Sequence, residues 1–119
     1  MSSLNFEPGE IVVAQILYSE QIGIKTRPAL VISNTKYNRD SEDVILLKIT
    51  SKSKQTKYDI GLTNSDLVNG ELAKESMIMA DNLVTTYKEM ITTKIGKISK
   101  EKLNQVKEKL AELFEIKKG

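Results

Sequence analysis

The 119-residue sequence contains neither cysteine nor histidine. The absence of cysteine excludes disulfides, a thiolate nucleophile and Cys-based zinc sites, and it is common among proteins of a reducing compartment. The absence of histidine excludes the most frequent general base, the Ser-His-Asp triad and His-ligated metals. Any hydrolytic chemistry must therefore use Arg, Lys, Asp, Glu, Ser, Thr or Tyr side chains.

The sequence also has a low net charge, no long apolar run and no cluster of acidic residues. The formal net charge is +2, so the overall charge does not by itself indicate a nucleic-acid partner. No apolar run is long enough for a membrane span, and the N-terminus lacks the basic and apolar parts of a secretory signal, so we expect a cytoplasmic protein with no membrane partner. The acidic residues are scattered, and we expect neither a metal nor another cofactor. The length predicts a single domain, residues 1–119.

Short apolar runs separated by turn residues predict a mainly β chain. The predicted strands are residues 10–17, 29–33, 44–49, 58–62, 76–80, 83–86 and 92–98. Residues 18–26 and 35–43 are predicted to be loops, and Asp81 and Asn82 are predicted to break a strand. Strands of this length and number favour a small, mostly antiparallel barrel.

A single C-terminal helix is predicted over residues 99–116. Ser99 suits the N-cap position, and Ile98 and Leu103 occupy the two positions of a hydrophobic staple. Apolar residues then recur at helical spacing, namely Leu103, Val106, Leu110, Leu113 and Phe114. This stripe predicts that the helix packs on the sheet.

Arg27 and Pro28 lie directly before the predicted strand 29–33. Pro28 has a fixed φ of about −65° and disfavours a helical conformation for Arg27, which must therefore enter the strand extended. Taken alone, an arginine at such a position more often forms a surface ion pair than a catalytic site. The next strand, residues 44–49, is followed by Thr50. If the two strands form an antiparallel hairpin, Arg27 and Thr50 lie close together.

Six segments of the chain carry a family resemblance. In order they are Pro8-Gly9-Glu10-Ile11-Val12, Glu20-Gln21, Arg27-Pro28, Ser33-Asn34, residues 44–49 followed by Thr50, and Ser76-Met77-Ile78-Met79. Their order and approximate spacing resemble the MazF/PemK family, the toxins of type II toxin–antitoxin systems, from about residue 8 to residue 114. The resemblance implies an SH3-like small β-barrel with a C-terminal α-helix packed on it, and it implies a homodimer.

The resemblance also implies a metal-independent endoribonuclease that cleaves single-stranded RNA, with mRNA as its main target. The 2′-hydroxyl attacks the adjacent phosphate, so the protein must stabilise charge on the phosphate oxygens and assist proton transfer. Arg27 suits the first task because its planar guanidinium binds two phosphate oxygens at once. Thr50 has a hydroxyl to donate, although a β-branched residue is also simply a good strand former. The acid/base role implied for Arg27 stays open, because arginine rarely releases its proton.

Seven further residues are predicted to bind RNA: Glu20, Gln21, Pro28, Ser51, Lys52, Lys54 and Ser76. The two lysines belong to a basic stretch, residues 48–57, which contains no acid and either neutralises phosphates or is a solvated loop. Side chains before Arg27 are placed to read base edges of an unpaired strand. Aromatic residues make up only 5% of the chain, which limits base stacking.

Two other functions compete with the nuclease. A related barrel poisons DNA gyrase through protein contacts, and such a toxin would use the C-terminal helix rather than Arg27. A catalytically inactive module on the same barrel would bind nucleic acid or protein without turnover. The resemblance also implies a cognate antitoxin, usually a small acidic protein with a disordered tail, which local positive charge would attract.

Overall fold

The computed structural model describes residues 5–17, 24–53 and 56–117. Its elements follow the order β1 (Glu10–Leu17), β2 (Ile24–Val31), α1 (Thr35–Asp40), β3 (Asp43–Thr50), β4 (Asp59–Leu62), β5 (Leu67–Gly70), β6 (Ser76–Tyr87), β7 (Ile91–Ile98) and α2 (Lys100–Leu113). Short 3-10 turns precede β5 at Asn64–Asp66 and β7 at Lys88–Met90.

Seven strands of the described chain form one antiparallel sheet in the order β4-β6-β3-β2-β1-β7-β5. Neighbours in sequence pair as hairpins from β1 to β3, and β7 returns to pair with β1. The sheet is curled into a half-barrel with the C-terminal helix beside it. The predicted mainly β fold with one terminal helix is confirmed.

The central strands are apolar on both faces because each face has its own core. The helix-side core contains Ile11, Leu30, Leu47, Ile49, Ile60, Leu62, Leu72, Ile78, Ala80, Ile98 and Val106. The Phe6-side core contains Phe6, Val12, Ala14, Ile16, Ala29, Val31, Val44, Leu46 and Ile91. Alternate residues of a strand point to opposite faces, so a strand covered on both faces has an unbroken apolar run. We call the side of the sheet that carries the second core the Phe6 face.

Strand β6 changes its register against β3 part-way along. Leu47 faces Leu83 whereas Ile49 faces Ile78, so β3 advances by two residues while β6 advances by five. The extra length is an odd number of residues, and the alternation of β6 therefore turns over: Ile78 lies in the helix-side core, but Val84 packs on the Phe6-side core. The predicted break at residues 81–82 is wrong as a strand end, because β6 continues through this irregularity.

Helix α2 begins as its sequence predicts and ends earlier. The Ser99 hydroxyl accepts a hydrogen bond from the Lys102 N–H at 3.1 Å, as an N-cap does. The helix ends at Leu113 rather than residue 116, and Glu115 has a φ of 56°, a left-handed conformation that terminates helices. Phe114 was predicted to belong to the packing stripe, but it is 55% exposed. No helix in the described ranges is long and apolar enough to cross a membrane.

Two predicted loops contain regular structure. The loop predicted over residues 18–26 ends sooner, because Lys25 and Thr26 pair with β1 as part of β2. The loop predicted over residues 35–43 contains helix α1, whose N-cap Asn34 accepts a hydrogen bond from the Tyr37 N–H at 2.7 Å. A six-residue helix is too short to show apolar periodicity, so only its cap residue signalled it.

Candidate functional site

Arg27 and Thr50 each lie two residues beyond the last pair of the ladder between β2 and β3. The last pair of that ladder is Ala29 opposite Lys48. Both strands continue beyond this pair, and the same antiparallel register, extended by two residues, would set Arg27 opposite Thr50. Opposite residues in an antiparallel pair point to the same side of the sheet.

That side is the Phe6 face. Ala14 of β1 lies opposite Arg27 and is fully buried in the Phe6-side core, and Ala29 belongs to the same core. Arg27 and Thr50 extend this face past the edge of the core. Arg27 is exposed and Thr50 is half-buried, so the protomer leaves both side chains accessible from one direction.

Each of the two side chains has a hydrogen bond to nearby backbone. An Arg27 Nη1–H donates a long bond of 3.4 Å to the backbone oxygen of its neighbour Thr26. The Thr50 Oγ1 accepts a bond of 3.1 Å from the Lys52 N–H, which folds the following turn back onto the strand end. A hydroxyl that accepts in this way still carries its own proton and can donate it to a ligand.

The row that contains Arg27 and Thr50 continues over two more strands. Thr50 faces Met77 of β6, and Met77 faces Gly61 of β4. A Cβ placed on Gly61 would meet no atom within 4 Å, so the row opens into solvent there. Four strands thus contribute to one shallow strip that crosses the sheet perpendicular to the strands.

The other predicted site residues fall into three groups. Ser51 and Lys52 are exposed in the turn directly after Thr50. Pro28 pairs with Val13, and because it neighbours Arg27 along β2 it points to the opposite side of the sheet. Glu20, Gln21 and Lys54 lie outside the described residues.

Ser76 is also turned away from the Phe6 face. It lies opposite Leu62, a member of the helix-side core, and its hydroxyl donates a bond of 3.0 Å to the Lys74 backbone oxygen. Ser51 and Lys52 thus follow Thr50 directly in the chain, whereas the register turns Pro28 and Ser76 to the other side of the sheet.

A sequence profile described as PemK-like, MazF-like toxin of type II toxin-antitoxin system matches residues 7–114. The chain belongs to this toxin family. The toxin is 24% identical over 95 residues to the endoribonuclease MazF1 of Mycobacterium bovis and to the endoribonuclease MazF4 of Mycobacterium tuberculosis, and each alignment covers 80% of this chain and 85% of the relative.

Solved structures share the toxin's fold. An endoribonuclease in complex with its cognate antitoxin, from a mycobacterial species, superposes with a TM-score of 0.74 at 19% identity, covering 95% of this chain and 98% of the other. A MazE–MazF structure (Form-III) from Deinococcus radiodurans superposes with a TM-score of 0.76 at 20% identity, covering 96% of this chain and 100% of the other. The family indicated by the six sequence segments is confirmed.

One further residue lies beside Arg27 and Thr50 without having been predicted as a site residue from the sequence. Lys48 lies on the Phe6 face between Leu46 and Thr50, opposite Ala29. In the sequence it is the first residue of the basic stretch 48–57. The signal that could have found it is a lysine in the middle of an apolar strand, between Leu47 and Ile49.

The toxin's strip is open rather than enclosed. Two surface depressions lie elsewhere, one of about 370 Å³ against α1 and one of about 530 Å³ against α2. Within the described ranges, no three acidic side chains come together in a way that could hold a metal ion. The groups available on the strip are therefore a guanidinium, a hydroxyl, an ammonium and backbone.

Proposed function

We propose that this toxin is an endoribonuclease that cleaves single-stranded RNA, mRNA above all, without a metal or another cofactor. Its membership of the family and the names of its relatives support the activity. The main support for the mechanism is that Arg27 and Thr50 lie on the same accessible side of the sheet, where the β2–β3 register, extended by two residues, would set them opposite each other. The proposal treats residues 1–119 as one toxin domain.

Arg27 stabilises the charge that builds on the scissile phosphate. Attack by the 2′-oxygen adds negative charge to the non-bridging oxygens, and a guanidinium binds two of them with parallel N–H bonds. A donor aimed at such an oxygen is typically worth about 2.7–4 kcal/mol in the transition state. A lysine at this position would supply charge but not the two-pronged geometry.

Thr50 supplies a second, neutral donor from the neighbouring strand. Its oxygen is held by the Lys52 N–H, and that bond orients the hydroxyl without using its proton. Because Arg27 and Thr50 belong to different strands of one rigid sheet, the two donors are positioned before the RNA arrives.

The reaction needs proton transfer but no net proton. The 2′-oxygen loses one proton, a bond forms from that oxygen to phosphorus, and the leaving 5′-oxygen gains a proton. The chain has no imidazole to perform the transfer. We assign it to water or to a phosphate oxygen of the substrate, with Arg27 supplying the electrostatic field.

The open strip suits an unpaired strand whose bases splay apart. Single-stranded RNA is recognised through its exposed bases and backbone, which need surface rather than a closed pocket. Ser51 and Lys52 flank the strip and would contact the backbone on one side of the cut. Glu20, Gln21 and Lys54, in the adjoining segments, are proposed to extend this contact, and Pro28 and Ser76 would contribute only from the other side of the sheet.

The proposed partners are a second copy of the chain and a cognate antitoxin. Similar structures are described as MazE–MazF and as an endoribonuclease with its cognate antitoxin. An acidic antitoxin tail would be attracted to the positive charge at Arg27, Lys48 and Lys52 and would cover the strip. We place the activity in the cytoplasm, where mRNA is available.

The test is cleavage of a long single-stranded RNA by the purified toxin in the presence of EDTA. We expect cuts whose upstream fragments end in a 2′,3′-cyclic phosphate and whose downstream fragments begin with a 5′-hydroxyl. A DNA of the same sequence, which lacks the 2′-hydroxyl, is the control and must stay intact. Activity that disappears with EDTA would contradict the metal-independent mechanism.

The same experiment separates the competing functions. Intact RNA together with inhibition of purified DNA gyrase would favour the protein-binding toxin. RNA that is bound without cyclic-phosphate products would favour the inactive module. Either result would overturn the nuclease.

A further inference from the structure

Lys48 interrupts the apolar pattern of β3 two residues before Thr50. On the Phe6 face, Val44 and Leu46 are fully buried, and the next residue on that side is Lys48, which is half-buried. Lysine is rarely covered in a protein, and where it is, its aliphatic stem lies on apolar surface while the ammonium extends outward. The apolar side of β3 therefore ends in a cation, immediately before Thr50.

Sheet geometry places that cation beside both proposed donors. Lys48 and Thr50 are two residues apart on one strand, which separates their Cα atoms by about 6.5–7 Å on the same side. Arg27 is the diagonal neighbour of Lys48 across the pair, and such neighbours are about 7–8 Å apart. A lysine side chain is long enough for its ammonium to reach an anion held between Arg27 and Thr50.

The residues opposite Lys48 leave room for its side chain to extend toward Arg27 and Thr50. Its partner across β2 is Ala29, whose side chain is a single methyl group. On its other side, the register of β3 against β6 shifts between Leu47 and Ile49, so Lys48 faces the irregular part of β6 rather than a regular partner. A large side chain opposite Lys48 would restrict the conformations of the lysine. The methyl group of Ala29 imposes no such restriction.

We propose that Lys48 is a third group that contacts the scissile phosphate, donating an N–H bond to a non-bridging oxygen and neutralising charge that grows in the transition state. This inference rests on the proposed function. No bond to Lys48 forms or breaks during the reaction. Lys52 differs in role: it is exposed in the following turn and binds a neighbouring phosphate, which affects affinity rather than rate.

The experiment compares Lys48→Met with Lys52→Met in the full-length toxin. Methionine keeps the length of the side chain and removes the charge, so the sheet should be unaffected. For Lys48→Met we expect kcat to fall by about 10²-fold with KM changed less than about threefold, as for loss of a transition-state donor. For Lys52→Met we expect KM to rise and the dependence of binding on salt to weaken by about one phosphate contact, with a much smaller fall in kcat than for Lys48→Met.

Two further variants make the outcome decisive. Lys48→Arg should recover a substantial part of kcat, which a purely structural role would not produce. Lys48→Gln replaces the methionine variant if thermal unfolding shows that Lys48→Met is not folded. A folded Lys48 variant that retains wild-type kcat, or that loses affinity only, overturns the inference and leaves the nuclease intact. A wild-type toxin that leaves RNA intact overturns the nuclease, and this inference with it.

Discussion

The two ends of the β2–β3 pair use polar residues in opposite ways. At one end, the Ser33 hydroxyl donates to the Asn38 Oδ1 and accepts from the Ile45 N–H at 3.0 Å. The Asn38 amide donates to the backbone oxygens of Phe6 and Ser33 at 2.8 and 2.9 Å. Both side chains are buried. At the other end, Arg27 is exposed and the Thr50 hydroxyl keeps its proton for an outside acceptor. We call these the closed end and the open end.

The difference shows how to distinguish a structural polar residue from one that is available for chemistry. Both ends have polar residues directly after apolar runs, so their sequences look alike. At the closed end the hydrogen-bonding capacity is used inside the protein, where it holds α1 and Phe6 against the sheet. A buried network of this kind stabilises the fold only while every member is satisfied. At the open end Arg27 is exposed and Thr50 is half-buried, so both side chains can be reached from solvent, as a binding site requires.

The largest expected effect is the loss of cleavage when an arginine is replaced by lysine at the open end. The chain has two arginines, Arg27 at the open end and Arg39 at the closed end. Arg27→Lys should reduce kcat by about 10²–10³-fold, because lysine cannot bind two phosphate oxygens in parallel. Arg39→Lys, at the closed end beside Asp40, makes the same substitution and should leave cleavage unchanged. The measurement is the RNA cleavage rate at saturating RNA, with thermal unfolding as a check on folding. Equal rates for the two variants would remove Arg27 from the mechanism.

Thr50→Val should have the next largest effect, a fall in kcat of about 10²-fold, since shape is kept and only the donor is lost. The free energy of unfolding should change little, because valine is also a good strand residue. Thr85→Val, at an exposed position of β6, is the matched control and should cleave normally. If Thr50→Val cleaves at the wild-type rate, Thr50 is only a strand former.

Asn38→Ala should reverse the pattern and affect stability rather than rate. It removes the amide that bonds Phe6 and Ser33 and leaves those buried oxygens without their donor, at a cost of about 1–3 kcal/mol in the free energy of unfolding. Asn104→Ala, on the exposed side of α2, is the control and should be close to neutral. Urea unfolding gives the stability, and cleavage per folded molecule should be unchanged. Loss of kcat without loss of stability would contradict the closed-end assignment.

The smallest effect concerns the ion pair between Glu7 and Lys97, which lies at 2.7 Å. The hydrogen bond from Lys97 lowers the pKa of Glu7, and the same bond raises the pKa of Lys97. The carboxylate therefore stabilises the fold above its unfolded value of about 4.3, and this is lost as the pH falls through its folded value. The ammonium stabilises the fold below about 10.4, and this is lost as the pH rises through its folded value.

Glu7→Gln should thus lower stability slightly between these limits and flatten the pH dependence on both flanks. The effect should be small, because exposed ion pairs are screened by solvent. Glu89→Gln removes the same charge from another exposed position and serves as the control. Thermal unfolding at a series of pH values gives the comparison, and a larger loss than that of Asn38→Ala would contradict the ranking of buried over exposed contacts.

The sequence predicts those parts of the fold that are decided by local sequence pattern alone. Strand β1 has its predicted bounds, Glu10–Leu17, and the N-cap at Ser99 is confirmed. The antiparallel pairing of β2 with β3, which brings residues 29–31 opposite residues 46–48, also follows from two adjacent apolar runs. Local chemistry decides each of these features, so a local pattern suffices.

What could not be predicted depends on pairing between distant segments. The side to which Ser76 points is set by its register against β4 and by the irregularity in β6, and neither can be read from its neighbours in sequence. Lys25 and Thr26 become strand residues because β1 is there to pair with them. The role proposed for Lys48 likewise depends on its position opposite Ala29 of another strand.

The odd number of extra residues in β6 reverses which of its alternate residues face each side of the sheet. Met77 before the irregularity and Val84 after it therefore lie on the same face of the sheet, although an odd number of positions separates them. Deleting one residue from this segment would swap the phases and exchange Met77 with the core residue Ile78. Among homologous toxins, length changes here should therefore occur in pairs, a signature that a comparison of natural sequences can reveal without any measurement on the protein.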